Sequence, residues 1–217
     1  MTALPMAPAA VFSSATTTLD KLGFSSERIV ERAGLPQYQF LEPHHKIPGM
    51  HLYRLYADAA RALGEEALGA MVPTALPITH VGRFGKAITE SPTVHSAIDT
   101  MNRLYAMASN VHRYRTTVDG HGVWWLRYSA LPSCAGARQM ELASLSYMVQ
   151  TVRASAGCDW RPARMCVERD SIPRLNQLEP FAGAEVLRER GVSGIAIPWS
   201  ILSQLNPLLA PTDPIEG

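Results

Sequence analysis

The chain has 217 residues and a mass of 23.7 kDa, which is enough to bury one substantial hydrophobic core. A hydrophobic content of 47% and a charged content of 18% are typical of a globular protein and exclude a disordered chain. The formal net charge of +1 is too balanced to indicate a surface for nucleic acid or membrane.

Cysteine usage and the N-terminal sequence favour a reducing compartment. Three cysteines, an odd number, lie at positions 134, 158 and 166 without CxxC spacing, which argues against a disulfide framework and a zinc site. The first basic residue is Lys21, so the chain lacks the basic start of a signal peptide. No apolar run approaches the roughly 20 residues of a membrane helix. We therefore expect a cytoplasmic protein with no membrane contact, metal or cofactor.

The first half of the chain is predicted to be helical. Residues 1–8 are rich in alanine and proline and are expected to be loose. Apolar residues at helical spacing, capping residues at the starts and glycines at the ends predict helices over residues 9–22, 25–34, 50–63 and 65–72.

Residues 82–105 are predicted to form two helices separated by a capped break. The break is Ser91-Pro92-Thr93, because a residue before proline is disfavoured in a helix and proline is tolerated in the first helical turn. The second helix has an apolar stripe that includes Val94, Ile98 and Met101. Nothing in this stretch is typical of catalysis, so its predicted role is packing.

The second half of the chain is predicted to mix strands and helices. Residues 111–118 and 123–128 are rich in β-branched and aromatic residues and indicate a hairpin, although the pattern leaves open which face is buried. A long helix is predicted at 137–154, strands at 165–168, 185–188 and, as an edge strand, 195–198, and short helical turns at 178–181 and 199–205. The expected fold is therefore α+β, with an N-terminal helical layer packed on a small, mostly antiparallel sheet and a long central helix. We expect a single domain over residues 9–206 and a proline-rich tail or linker over 207–217.

Motifs of catalysis are absent from the sequence. The seven histidines form no HExxH or other metal-binding spacing, and the chain has no GxSxG, Walker or GxGxxG motif. The hairpin is more suggestive, because Trp124 and Trp125 are adjacent and point to opposite faces, and Arg127 follows them. Arginine beside aromatic residues is typical of a site for a carboxylate or an aromatic ligand, and equally of ordinary packing with surface arginines.

Five segments of the chain resemble a known sensor domain. The sequence resembles the N-terminal effector-binding, arabinose-binding-like domain of AraC/XylS-type transcription regulators from about Leu19 to Leu209. It departs from the family at residues 181–186, FAGAEV, where a Phe-Gly-Cys-Pro-Val-like run is usual, and at residues 79–81, THV. The matching segments are LDKLGFSSERIVERAGLP, MHLYRLYADAARALGEEALG, GRFGKAITESPTVHSAIDTMNRLYAM, ARQMELASLSYMVQTVRA and LEPFAGAEVLRERGVSGIAIPWSILSQLNPLL.

The resemblance implies a ligand-sensing domain without enzymatic activity. Its expected partners are a small-molecule effector and either a second copy or a full-length regulator. No helix-turn-helix region of the family follows the sensor, so we expect no direct binding of nucleic acid. We place the ligand between the hairpin, the long helix and residues 82–105, with these polar anchors and apolar walls: His80, Arg83, Arg127, Tyr105, Trp124, Trp125, Tyr147 and Met148.

Two other functions stay open at this point. A small metabolite-processing enzyme would use His80 or His112 as a general base, and it predicts a cleft with a histidine beside a carboxylate. A pure protein-interaction module predicts no internal cavity and an exposed apolar patch.

Overall fold

The computed structural model describes residues 3–168, 175–188 and 191–209. Its N-terminal part is a layer of helices closed by a two-stranded antiparallel sheet. The elements in chain order are β1 (Met6–Pro8), α1 (Ala9–Lys21), α2 (Ser26–Arg32), β2 (Lys46–Pro48), α3 (Gly49–Leu63) and α4 (Leu68–Ala75).

Part of the N-terminal segment that the sequence predicts to be loose forms a strand. Met6–Pro8 pairs with β2, and Ala7 is buried opposite Ile47. The backbone N–H of Met6 donates to Asn110 Oδ1 at 2.6 Å, a partner 104 residues away. Local composition carries no sign of such a distant partner, so the alanine- and proline-rich sequence did not predict this strand.

The next two helices are α5 (Gly82–Thr89) and α6 (Val94–Ala108), and they confirm the predicted break. Thr93 begins α6 with a reciprocal cap: its Oγ1 accepts from Ser96 N at 3.1 Å, and its N–H donates to Ser96 Oγ at 2.9 Å. These bonds satisfy backbone donors that the first turn of a helix leaves unpaired. The side-chain amide of Asn206 also donates to the carbonyls of Thr89 and Ser91, which holds the break against the end of the domain.

The larger sheet has five strands in the order β3-β4-β7-β5-β6. All its pairings are antiparallel except β5 with β6. The strands are β3 (His112–Asp119), β4 (Gly122–Ser129), β5 (Arg164–Val167), β6 (Glu185–Arg188) and β7 (Ser193–Pro198).

The prediction that the last strand lies at an edge is wrong, because β7 is the central strand. Residues 193–197 are all buried, and β7 bonds to β4 on one side and β5 on the other. Pro198 stands at the last position of the strand, where a missing N–H does not interrupt the ladder. Pro198 therefore marks the end of β7. The uninterrupted apolar run before it is what indicates a central strand.

A long helix, α7 (Ala137–Ala156), joins the two halves of the fold, and α8 (Trp199–Leu202) follows the sheet. Leu145, Met148 and Val149 pack in a hydrophobic cluster with α6 and the larger sheet. Ala137 and Met140 belong to a second cluster with α1 and α3. The predicted α+β architecture with a long central helix is confirmed.

Residues 3–168, 175–188 and 191–209 contain no helix both long and apolar enough to cross a membrane. The domain limits of 9–206 and 207–217 stay predictions, and residues 210–217 of the predicted tail lie outside the described part of the chain.

Candidate functional site

A cavity of about 480 Å³ lies where the helical layer meets α6, α7 and the start of β3. Small side chains form its walls, since α1 contributes Ala10 and Ser14 and α7 contributes Ala143 and Ser144. Because alanine and serine side chains are small, the helices that carry them leave unfilled a volume that larger apolar side chains would occupy. The remaining lining is mainly apolar and aromatic, and includes Leu52, Tyr56, Val72, Leu76, Ile78, Phe84, Met101, Tyr105, Val111, Tyr114, Met140 and Tyr147.

The ionisable side chains around this cavity, apart from its tyrosines, are all basic. Among the described residues that line it, the ionisable nitrogen-bearing side chains are His80, Arg83 and His112, and no aspartate or glutamate is present. His80 and Arg83 are exposed at the rim, whereas His112 is buried at the inner wall. Arg83 therefore places a positive charge and hydrogen-bond donors at the rim of an apolar interior.

A buried polar cluster forms the inner wall, and His112 is at its centre. His112 Nδ1 lies 2.8 Å from Tyr105 Oη, and His112 Nε2 lies 2.7 Å from both Arg127 Nη2 and Tyr53 Oη. Tyr53 Oη also contacts Ser129 Oγ at 2.9 Å. Two helices and two strands, α3, α6, β3 and β4, thus meet in one hydrogen-bonded unit, with His112 and Tyr105 facing the cavity.

The donors of this cluster determine the proton on His112. A guanidinium can only donate, so Arg127 Nη2 donates to Nε2, and Nε2 carries no proton. Burial, and then the charge of Arg127, lower the pKa of His112 well below its ordinary value, so the ring is neutral. The single ring proton is therefore on Nδ1 and is donated to Tyr105 Oη.

Arg127 is a buried cation with few partners. Its side chain is 1% exposed, and Nε has no hydrogen-bond partner. Its second terminal nitrogen donates to Ser193 Oγ at 3.4 Å, which is a long contact. None of the ion pairs among the described residues involves Arg127. Burial of an unpaired charge is costly, so its retention is a sign of a specific role.

Four of the eight predicted ligand-binding residues line the cavity: His80, Arg83, Tyr105 and Tyr147. Tyr147 donates its hydroxyl proton to the carbonyl of Leu76 at 2.9 Å. Arg127 lies directly behind the wall and reaches the cavity through His112. The ligand-binding role of all eight residues stays a prediction.

The other three predicted residues lie away from the cavity. Trp125 is buried on the inner face of β4 and donates from Nε1 to Asn102 Oδ1 at 2.9 Å. Trp124 points to the opposite face, where Arg164 stacks on its ring with 5.4 Å between the guanidinium carbon and the ring centroid. Met148 is fully buried in the cluster formed with the sheet. The hairpin face left open by the sequence is therefore settled: Val123, Trp125 and Arg127 face inward.

The sequence did not predict that α1 lines the cavity. Ala10, Val11 and Ser14 line the cavity, but an apolar stripe on a helix predicts burial without showing whether the buried face meets protein or a cavity. His112 was considered only as a general base. Its central position in the polar cluster depends on Tyr53, which is 59 residues away in sequence.

A histidine–carboxylate pair is not found around the cavity in the described part of the chain. The partners of His112 are tyrosines and an arginine, and His80 contacts Thr79 Oγ1 at 3.1 Å. The described residues also contain no group of three or more potential metal ligands. The described residues therefore form a cavity that has no histidine–carboxylate pair.

Comparisons with known proteins identify a family and a solved structure that resembles this chain. A family model described as the N-terminal arabinose-binding domain of AraC transcription regulators matches residues 23–205. No curated protein matches the sequence. The crystal structure of transcriptional regulator CdpR from Pseudomonas aeruginosa is similar, with a TM-score of 0.54 and 14% identity over 83% of this chain. The chain covers 55% of the CdpR chain, and at this identity the similarity shows a shared fold.

Proposed function

Since the chain belongs to the family of arabinose-binding N-terminal domains of AraC-type transcription regulators, we propose that it senses a small, largely apolar effector. The observation that carries this proposal is the cavity of about 480 Å³ between the helical layer and α7. Its volume is within the range of small-molecule sites, and a mostly apolar lining with a few polar groups is typical of them. The family and the structural neighbour are transcription regulators, not enzymes.

The position of the cavity suggests how binding is converted into a signal. Its walls come from both hydrophobic clusters, with Leu52 and Met140 from the helical-layer cluster and Ile78 and Met101 from the sheet cluster. An effector that contacts both clusters stabilises one relative arrangement of them. Binding then shifts the population toward that arrangement by the difference in affinity between the two states.

Blocking the cavity tests this function. We expect Ala143→Leu to weaken the binding of cavity ligands roughly tenfold or more, because the larger side chain occupies ligand volume. Binding is measured by calorimetric titration with a panel of ω-phenylalkanols and ω-phenylalkanoates of increasing length. Ala154→Leu is the matched control, since Ala154 lies on the same helix, half-buried and outside the cavity lining. Absence of saturable binding to the unmodified protein, or equal binding by both variants, would contradict the proposal.

The proposal includes self-association. Residues 199–209 contain no charged side chain and expose several large apolar ones: Trp199, Leu205, Leu208 and Leu209. A symmetric dimer places the same segment on both partners, and an uncharged segment with exposed apolar side chains meets its own copy without charge repulsion. We therefore favour a homodimer through this segment over the alternative of pairing with a full-length regulator.

A further inference from the structure

We propose that the effector carries a carboxylate, and that this carboxylate accepts the hydroxyl proton of Tyr105 at the inner end of the cavity. The inference rests on the proposed function, because it names the chemical class of ligand for the same site. Three features of the described residues support it: a hydroxyl donor whose protein neighbour is only a serine oxygen, a buried cation without a carboxylate, and a lining without acidic side chains.

The first feature is the hydroxyl of Tyr105. Arg127 donates a hydrogen bond to His112, and His112 donates one to Tyr105. Tyr105 Oη is therefore the acceptor in its contact with His112. Burial raises the pKa of Tyr105, so the hydroxyl keeps its own proton. The neighbour of that hydroxyl on the protein side is Ser109 Oγ, which already donates to the carbonyl of Met6 and accepts from the N–H of Val111. A ligand carboxylate is a stronger acceptor than this serine oxygen, so it would take the Tyr105 proton in its place.

The second feature is the charge of Arg127 behind the wall. Its guanidinium is fully buried, Nε has no partner, and no ion pair among the described residues compensates it. The hydrogen bonds through His112 polarise the Tyr105 hydroxyl in the direction that strengthens its donation. An anionic ligand at Tyr105 would lie at one end of a hydrogen-bonded chain whose other end is the Arg127 cation. The attraction between these opposite charges is strong in a low-dielectric interior.

The third feature is the lining itself. With Arg83 and His80 at the rim and no aspartate or glutamate among the described lining residues, no negative charge opposes an anionic ligand. The apolar walls between the rim and Tyr105 fit an apolar body. A carboxylate is favoured over a neutral acceptor because a hydrogen bond to an ionised group is about twice as strong as one between neutral groups.

The test compares acids with matching alcohols. Calorimetric titrations of the full chain use ω-phenylalkanoates and ω-phenylalkanols of the same length. We expect the acids to bind roughly tenfold more tightly than the alcohols, and Tyr105→Phe to remove most of that preference while changing the affinity for alcohols by less than about threefold.

Two further variants make the result specific. Tyr147→Phe is the control, because Tyr147 also lines the cavity but donates its proton to the Leu76 carbonyl. Arg83→Met tests a carboxylate at the rim. A preference for acids that depends on Arg83 and not on Tyr105 would overturn the placement. Equal binding of acids and alcohols would overturn the inference and leave the proposed function standing, whereas binding of neither class would overturn both.

Discussion

His112 shows how one buried residue connects the packing of the fold with the chemistry of the cavity. It contacts Tyr53 from α3, Tyr105 from α6 and Arg127 from β4, so three elements meet at a single imidazole. Because both ring nitrogens are engaged, the orientation of the ring and its tautomer are determined by neighbours. A change of charge on this ring disturbs all three contacts together.

The stability of the protein is expected to fall below about pH 6.5 because of His112. Its pKa in the folded state is lowered by burial and by Arg127, so the unfolded chain binds the proton first as the pH falls. The stabilisation is complete above the unfolded pKa of about 6.5 and decreases by about 1 kcal/mol between pH 7.5 and pH 5.5. Urea denaturation at the two pH values measures the difference.

His112→Gln isolates this contribution. Glutamine keeps an acceptor for Arg127 and does not titrate, so the variant is expected to lose about 1 kcal/mol of the pH dependence. His95→Gln is the control, because His95 is exposed on α6 and makes only a surface contact with Asp99. If His112→Gln retained the full pH dependence of the unmodified protein, the assignment to His112 would be wrong.

At the scale of elements, the cap of α6, which the sequence already predicts at residues 91–93, is expected to stabilise the fold. Thr93→Ala removes the acceptor for Ser96 N and is expected to lower the free energy of unfolding by about 1 kcal/mol, whereas Thr93→Ser largely restores it. Urea denaturation measures both. Thr89→Ala is the control, since the Thr89 hydroxyl only bonds back to carbonyls of its own helix. An equal loss in the two alanine variants would contradict a specific capping role.

The elements differ in how far local sequence determines them. The break at residues 91–93, the hairpin and α7 were predicted because their signals, a proline, a turn and a helical stripe, are within a few residues of one another. The strand β1 and the central position of β7 were not predicted, because each depends on partners distant in sequence. The same holds for the candidate site: Arg83 and Tyr105, which the sequence proposes as ligand contacts, line the cavity, but the wall formed by α1 is visible only once the helices are packed.

At the scale of the whole molecule, the cavity and the C-terminal surface lie in different places, so ligand binding and self-association can be measured separately. The cavity is enclosed by α1, α6 and α7, whereas residues 199–209 follow the sheet. Leu205 joins the start of α6 through a bridge to Thr93, and Tyr105 lies on the same helix. Helix α6 therefore lies next to both residues 199–209 and the cavity.

Self-association through residues 199–209 gives the last prediction. Leu205 and Leu208 are 71% and 79% exposed, so aspartate at both positions should leave the fold intact and place like charges in the contact. We expect native mass spectrometry over a concentration series to show a dimer for the unmodified chain and a monomer for the double variant. Phe40→Asp is the control, because Phe40 is 81% exposed in a different part of the chain. A monomeric unmodified chain, or a double variant that still dimerises, would contradict the proposed contact.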